Sequence, residues 1–220
     1  MKKTQLLALA AMVLAMSSAA QGGIIADSVA DFSDTQGYRN WYYAGYYAAG
    51  DPDGTYNSPS DLTYLPFYAS NTWMWSDIPP HYYPWINAEY MCPASLEYPG
   101  YDVWAVRRWV STVEGPVHIT ATMHRHYEAP YGMGYGSRNY ILVDYAQVSG
   151  NYLSPYDYST YVVELDLNVS VGTVIDFITT TAGTNSYANN PYFVASIIPE
   201  PSACVLLAVG AAGLLRRRRK

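Results

Sequence analysis

Positive charge is what the middle of this 220-residue chain lacks. Between residues 21 and 198 there is no lysine, and the only basic side chains besides histidine are Arg39, Arg107, Arg108, Arg125 and Arg138. Nearly every Asp and Glu lies in the same stretch, so it is far more acidic than the whole-chain net charge of -6. Such a surface repels phosphates and argues against nucleic acid as a partner. Neutral glycans suit it, as do anionic glycans bridged by divalent cations, and so does plain solubility outside a cell. Cysteine is nearly absent too. Cys92 is alone in this stretch, because Cys204 falls in the last twenty residues. That excludes an intrachain disulfide there and leaves a buried free thiol, or pairing between chains. No G-x-S-x-G elbow, H-E-x-x-H pair or phosphate-binding loop occurs. Helical periodicity never lasts beyond a turn.

The ends are different in kind. Residues 1–20 read as a signal peptide, with Lys2 and Lys3, an apolar run from Leu6 to Met16, and the small residues Ser18, Ala19 and Ala20. Residues 199–220 read as Pro199-Glu200-Pro201, an apolar stretch from Ala203 to Leu215, and a basic end at Arg216, Arg217, Arg218, Arg219 and Lys220. A helix needs about 20 apolar residues to cross a bilayer comfortably. This run is shorter, and the long basic stems compensate by reaching the headgroups. Positive charge stays on the cytoplasmic side, which sets the folded part outside. The prolines are expected to end the last strand and separate the domain, residues 21–198, from the anchor.

The order Pro199-Glu200-Pro201, short apolar helix with Gly210 and Gly213, then Arg216–Lys220 resembles the PEP-CTERM sorting tail of exopolysaccharide-producing Gram-negative bacteria. The resemblance implies an exosortase-type membrane enzyme as partner, transient anchoring in the inner membrane, and release to the cell surface or extracellular matrix. An ordinary C-terminal anchor without processing is the alternative.

The domain itself reads as β-structure. From Tyr38 to Trp104 aromatic residues crowd together, broken by Gly50-Asp51-Pro52-Asp53-Gly54, Ile78-Pro79-Pro80 and Tyr98-Pro99-Gly100. Short strands and long ordered loops fit this pattern. Farther on the alternation is clean. Val117, Ile119, Ala121 and Met123 alternate with polar residues, and Tyr161, Val163, Leu165, Leu167 and Val169 do the same. Residues 138–148 read as one strand with Ile141, Val143 and Tyr145 inward. Residues 173–181 follow with Ile175 and Phe177 inward, and a last strand covers 192–198. The expected fold is all-β: eight to ten antiparallel strands in two sheets, a jelly-roll-like sandwich. Asp31-Phe32-Ser33, Asn40-Trp41, Ala105-Val106-Arg107-Arg108-Trp109, Gly115–Thr120 and Val171–Phe177 resemble a recurring β-sandwich module of PEP-CTERM surface proteins. That module is often compared with carbohydrate-binding modules, and the resemblance carries no catalytic residues.

Candidate binding residues follow from this. Trp73, Trp75, Tyr82, Tyr83 and Trp85 sit among prolines and short polar residues, where aromatic faces can stack on sugar rings. The same rings can instead fill the core, the expectation for Trp41, Trp104 and Trp109. Adjacent Arg107 and Arg108 must point to opposite faces of a strand, and a buried one needs a carboxylate. His124 and His126 share a strand face without a carboxylate close in sequence, so they read as surface residues rather than a metal site. Asp51-Pro-Asp53-Gly suits a turn; structural calcium is the alternative. Glu89, Glu97, Glu114, Glu128 and Glu164 are too scattered to single out a glycosidase pair. The reading is an exported, non-catalytic protein that binds polysaccharide weakly. A self-associating surface protein is the alternative, and a polysaccharide hydrolase or lyase stands behind both.

Overall fold

A computed structural model describes residues 23–78, 83–94, 102–126, 136–183 and 190–200. The expected signal peptide, Tyr82, Glu97, Glu128 and the tail from Pro201 through Arg216, Arg217, Arg218 and Arg219 lie outside the described residues. Among the described residues no helix is long and apolar enough to cross a membrane.

Alternating sequences make the longest strands. β9 (Gly115–His124) and β12 (Tyr161–Val169) pair antiparallel along their whole length, and β14 (Tyr192–Pro199) flanks β9 on the other side. The short β1 (Ala26–Asp27) adds to β14 and completes a four-stranded sheet in the order β1-β14-β9-β12. Its inner face carries Val117, Ile119, Ala121, Met123, Phe193, Ala195 and Ile197, all buried. The last strand ends at Pro199, one residue beyond the expected 192–198. Pro199 pairs with Val117 in register, and the Glu200 N–H then donates to the Pro116 carbonyl at 3.0 Å. A proline is tolerated at the end of a strand, where its missing N–H costs the ladder little.

Facing it is a six-stranded sheet. β2 (Trp41–Tyr46), β3 (Leu62–Tyr64), β8 (Trp104–Val110), β10 (Ser137–Val143), β11 (Ala146–Leu153) and β13 (Val174–Thr181) lie in the order β11-β10-β13-β8-β2-β3. Trp41, Tyr43, Ala105, Trp109, Ile141, Leu153, Ile175 and Phe177 close the main core against the first sheet. Residues 138–148 are two strands rather than one. Asp144 (φ 46°) and Tyr145 (φ 69°) form a tight left-handed turn between β10 and β11. Such a two-residue turn matches the strand twist but usually announces itself through glycine or asparagine.

The aromatic first half supplies a third sheet, where two sheets were expected. β4 (Phe67–Ala69), β5 (Thr72–Met74), β6 (Trp85–Asn87) and β7 (Met91–Cys92) form a short antiparallel meander. Three short 3₁₀ turns, Tyr38–Asn40, Ala48–Gly50 and Pro59–Asp61, complete the regular elements among the described residues.

The six-stranded sheet is covered on its outer face too. Residues 47–61 bring Tyr56 onto it, and a second core forms from Ala44, Tyr46, Tyr56, Val106, Leu142 and Ile178. Trp104, expected in the main core, belongs here, half-buried, with Tyr46 4.9 Å away ring to ring. Five positions separate it from Trp109, and an odd spacing on a strand reverses the face.

Candidate functional site

The third sheet sorts its aromatic residues by strand alternation. Register pairs Tyr68 with Trp73, Trp73 with Ile86, and Ile86 with Met91, and all four pack on the main core. The opposite face pairs Phe67 with Met74 and Met74 with Trp85, and beside them Ala69 with Thr72 and Thr72 with Asn87. That face is the floor of an open groove of about 350 Å³ lined by Ala69, Ser70, Thr72, Met74, Tyr83, Trp85 and Asn87. The hairpin turn at Ser70 and Asn71, with φ of 50° and 57°, forms part of the rim.

Of the five aromatic candidates, two reach this groove. Trp85 lies half-buried along it and Tyr83 beside it. Trp73 does not. It is 6% exposed, stacks on Tyr43 at 5.9 Å, and its indole N–H donates to the Ser33 carbonyl at 2.9 Å. Trp73 is therefore a core residue and its expected role as an exposed platform is corrected. Trp75 is half-buried over the backbone of Gly45, where a Cβ would lie only 2.8 Å from its ring. Polar groups converge on the same groove. Asn87 Oδ1 accepts the backbone N–H groups of Glu89 at 3.0 Å and Tyr90 at 2.7 Å, which fixes its amide while leaving the amide donors unused by either bond. An indole and a phenol beside Thr72, Ser70 and Asn87 form a shallow amphipathic floor, suited to the C–H face and hydroxyls of a sugar.

The other charged candidates are engaged in the fold. Arg108 Nε donates to Asp176 Oδ1 at 2.8 Å, its Nη2 donates to Asp176 Oδ2 and the Tyr56 hydroxyl, and that hydroxyl donates to Asp176 Oδ2 at 2.6 Å. Burial is the main reason that the Tyr56 phenol is held far above its ordinary range. Among the described residues Arg107 meets no carboxylate, against expectation. Its guanidinium donates to the carbonyls of Phe193 at 2.7 Å, Asn87 at 2.7 Å and Ala88 at 3.1 Å, and burial lowers its pKa to about 10. Cys92 is buried, and burial pushes its thiol well above the usual range. In the 51–54 turn the carboxylates accept hydrogen bonds. Asp51 takes the Tyr46 hydroxyl, and Asp53 takes the Thr55 N–H and the Asn57 amide. Glu89 lies between β6 and β7, Glu114 between β8 and β9, and Glu164 on β12.

One cluster escaped sequence reading. His118 on β9 faces Asp166 on β12, a direct register pair, with Nδ1 and Oδ1 2.6 Å apart. Glu200, just past β14, joins them, and one ligand atom of each residue lies within 4.8 Å of the others. The hydrogen bond to Asp166 raises His118, the contact with His118 lowers Asp166, and the bond to Asp166 raises Glu200. His124 and His126 take no part. The His124 ring stacks on Tyr192 at 4.4 Å and its Nδ1 is 2.9 Å from the Arg125 carbonyl, while His126 meets Tyr90 edge-on at 4.7 Å.

No family model and no curated protein matches the chain. Solved structures do. The chain is similar to a family 35 carbohydrate-binding module from Clostridium thermocellum, with 11% identity over 44% of this chain and 71% of that one, at a TM-score of 0.29. It is similar to the carbohydrate-binding module CBM36 in complex with calcium and xylotriose, with 9% identity over 47% of this chain and 84% of that one, at a TM-score of 0.27. A β-glucosidase from Kluyveromyces marxianus in complex with glucose aligns with 81% of this chain but only 19% of its own length, at 12% identity and a TM-score of 0.32. These likenesses are distant and assign no family.

Proposed function

We propose that this is an exported, non-catalytic protein of the cell envelope or extracellular matrix that binds polysaccharide weakly through the third sheet. The observation that carries the reading is the open groove floored by Trp85, Tyr83 and Met74 and edged by Thr72, Ser70 and Asn87. An indole partly open to solvent in a shallow groove, next to fixed amide and hydroxyl groups, offers stacking and directional bonds together. The groove is open and its charged residues are few, so the expected binding is weak and directed at neutral chains. Delivery rests on the tail that begins at Pro199. Its Pro-Glu-Pro triplet, apolar run and basic end support sorting by an exosortase-type enzyme, with transient residence at the inner membrane.

The test is affinity electrophoresis of the protein through gels containing neutral and acidic polysaccharides. Retention is expected on at least one neutral polymer. Trp85→Ala is expected to abolish it with thermal stability nearly unchanged, because Trp85 stands outside the main core. Absence of retention on every polymer would refute the binding role. Concentration-dependent self-association under the same conditions would then favour a structural surface protein.

A further inference from the structure

We propose that His118, Asp166 and Glu200 form a binding site for a divalent transition cation of the zinc class, and that the bound ion clamps the Pro-Glu-Pro junction to the sandwich. The three side chains come from β9, β12 and the residue after β14, respectively, three neighbouring segments of one sheet face. Each offers one donor atom, an imidazole nitrogen and two carboxylate oxygens, all within 4.8 Å of one another. Around a tetrahedral zinc ion, bonds of roughly 2.0–2.2 Å place donor atoms about 3.3 Å apart. A movement of well under one side-chain length therefore closes the set. His118 Nδ1 and Asp166 Oδ1, now 2.6 Å apart, would open slightly to admit the ion.

Charge argues the same way. Two carboxylates held in contact repel each other unless a proton or a cation lies between them. Here a carboxylate oxygen of Asp166 and one of Glu200 lie within 4.8 Å of each other and of a ring nitrogen of His118. The donor types select the ion. One imidazole with two carboxylates suits zinc-like cations, whereas calcium and magnesium prefer oxygen ligands throughout. Three protein ligands leave a fourth position for water.

The position of Glu200 gives the site its consequence. It is the acidic residue between Pro199 and Pro201, and its N–H already donates to the Pro116 carbonyl. Ion binding would add a side-chain tether to that backbone bond, so that the start of the tail is held at two points.

The test titrates the full-length chain, in detergent, with Zn²⁺ alone by calorimetry, and with Co²⁺ followed by its visible absorption. One saturable site per chain is expected. His118→Gln, Asp166→Asn and Glu200→Gln are each expected to weaken it at least about tenfold, the lower bound for disturbing a metal site. His124→Ala/His126→Ala is expected to leave it intact. Hydrogen exchange at the Glu200 amide is expected to slow when Zn²⁺ is added. Absence of saturable binding would overturn the site, as would binding that survives all three substitutions or depends on His124 and His126. Binding without slower exchange at Glu200 would overturn the clamp. Thermal melting of each variant separates loss of a ligand from loss of fold.

Discussion

Arg107 donates to three backbone carbonyls, while its neighbour Arg108 is locked to a carboxylate on the opposite face. The difference matters for stability. Arg108 and Asp176 are both buried, and each satisfies the other together with Tyr56. Removing one partner leaves an uncompensated charge, which typically costs about 3–5 kcal/mol. Asp176→Asn is therefore expected to lower stability by about that amount in chemical denaturation. The double change Arg108→Met with Asp176→Leu is expected to cost much less, since two apolar residues of similar volume often replace such a pair without loss. Equal damage from both variants would show that packing rather than charge holds the second core together. The presence of two arginines on a strand was legible in the sequence, and so was their division between faces. Which one met a carboxylate was not, because Asp176 stands 68 positions away from Arg108.

At the scale of elements, legibility followed solvent exposure. β9 and β12 could be read because one face of each is wet and the alternation of residue types records that fact. β13 is buried on both faces, so only Ile175 and Phe177 stood out while Asp176, Ile178 and Thr180 gave no sign of a second core. The aromatic meander β4–β7 was obscured for a related reason: strands of two or three residues are too short to show a period. Trp73 and Trp85 look alike in composition, and only register places one inside and the other in the groove. The cluster at His118 left no mark in the sequence, because its carboxylate partners are adjacent through strand pairing rather than through sequence. Close packing of the third sheet on the sandwich can be probed at Gly45. A Cβ there would meet the Trp75 ring at 2.8 Å and Val103 at 2.9 Å. Gly45→Ala is expected to cost about 1–3 kcal/mol, the usual penalty of overpacking, and to shift tryptophan fluorescence as Trp75 moves. An unchanged melting temperature and spectrum would mean that the ring gives way freely.

For the molecule as a whole, the proposed sorting predicts a defined product. Mass spectrometry of material released from cells is expected to show a chain that lacks the apolar run and the basic end, Ala203–Lys220. A C-terminus still ending at Lys220 would reduce the tail to a membrane anchor. The topology adds a mechanical consequence. β14 lies between β1 and β9 rather than at the sheet's edge, and eight of its residues stand in register with β9. Antiparallel hydrogen bonds run perpendicular to their strands. A pull on the residues beyond Glu200 therefore acts along β14 and loads this ladder in shear, many bonds at once, instead of peeling them apart singly. Ala26 pairs with Ile197 at the same end of the sheet, so the chain enters and leaves the domain at one pole. A protein drawn towards a membrane by its tail would thus stand on that pole and resist the tension without unravelling.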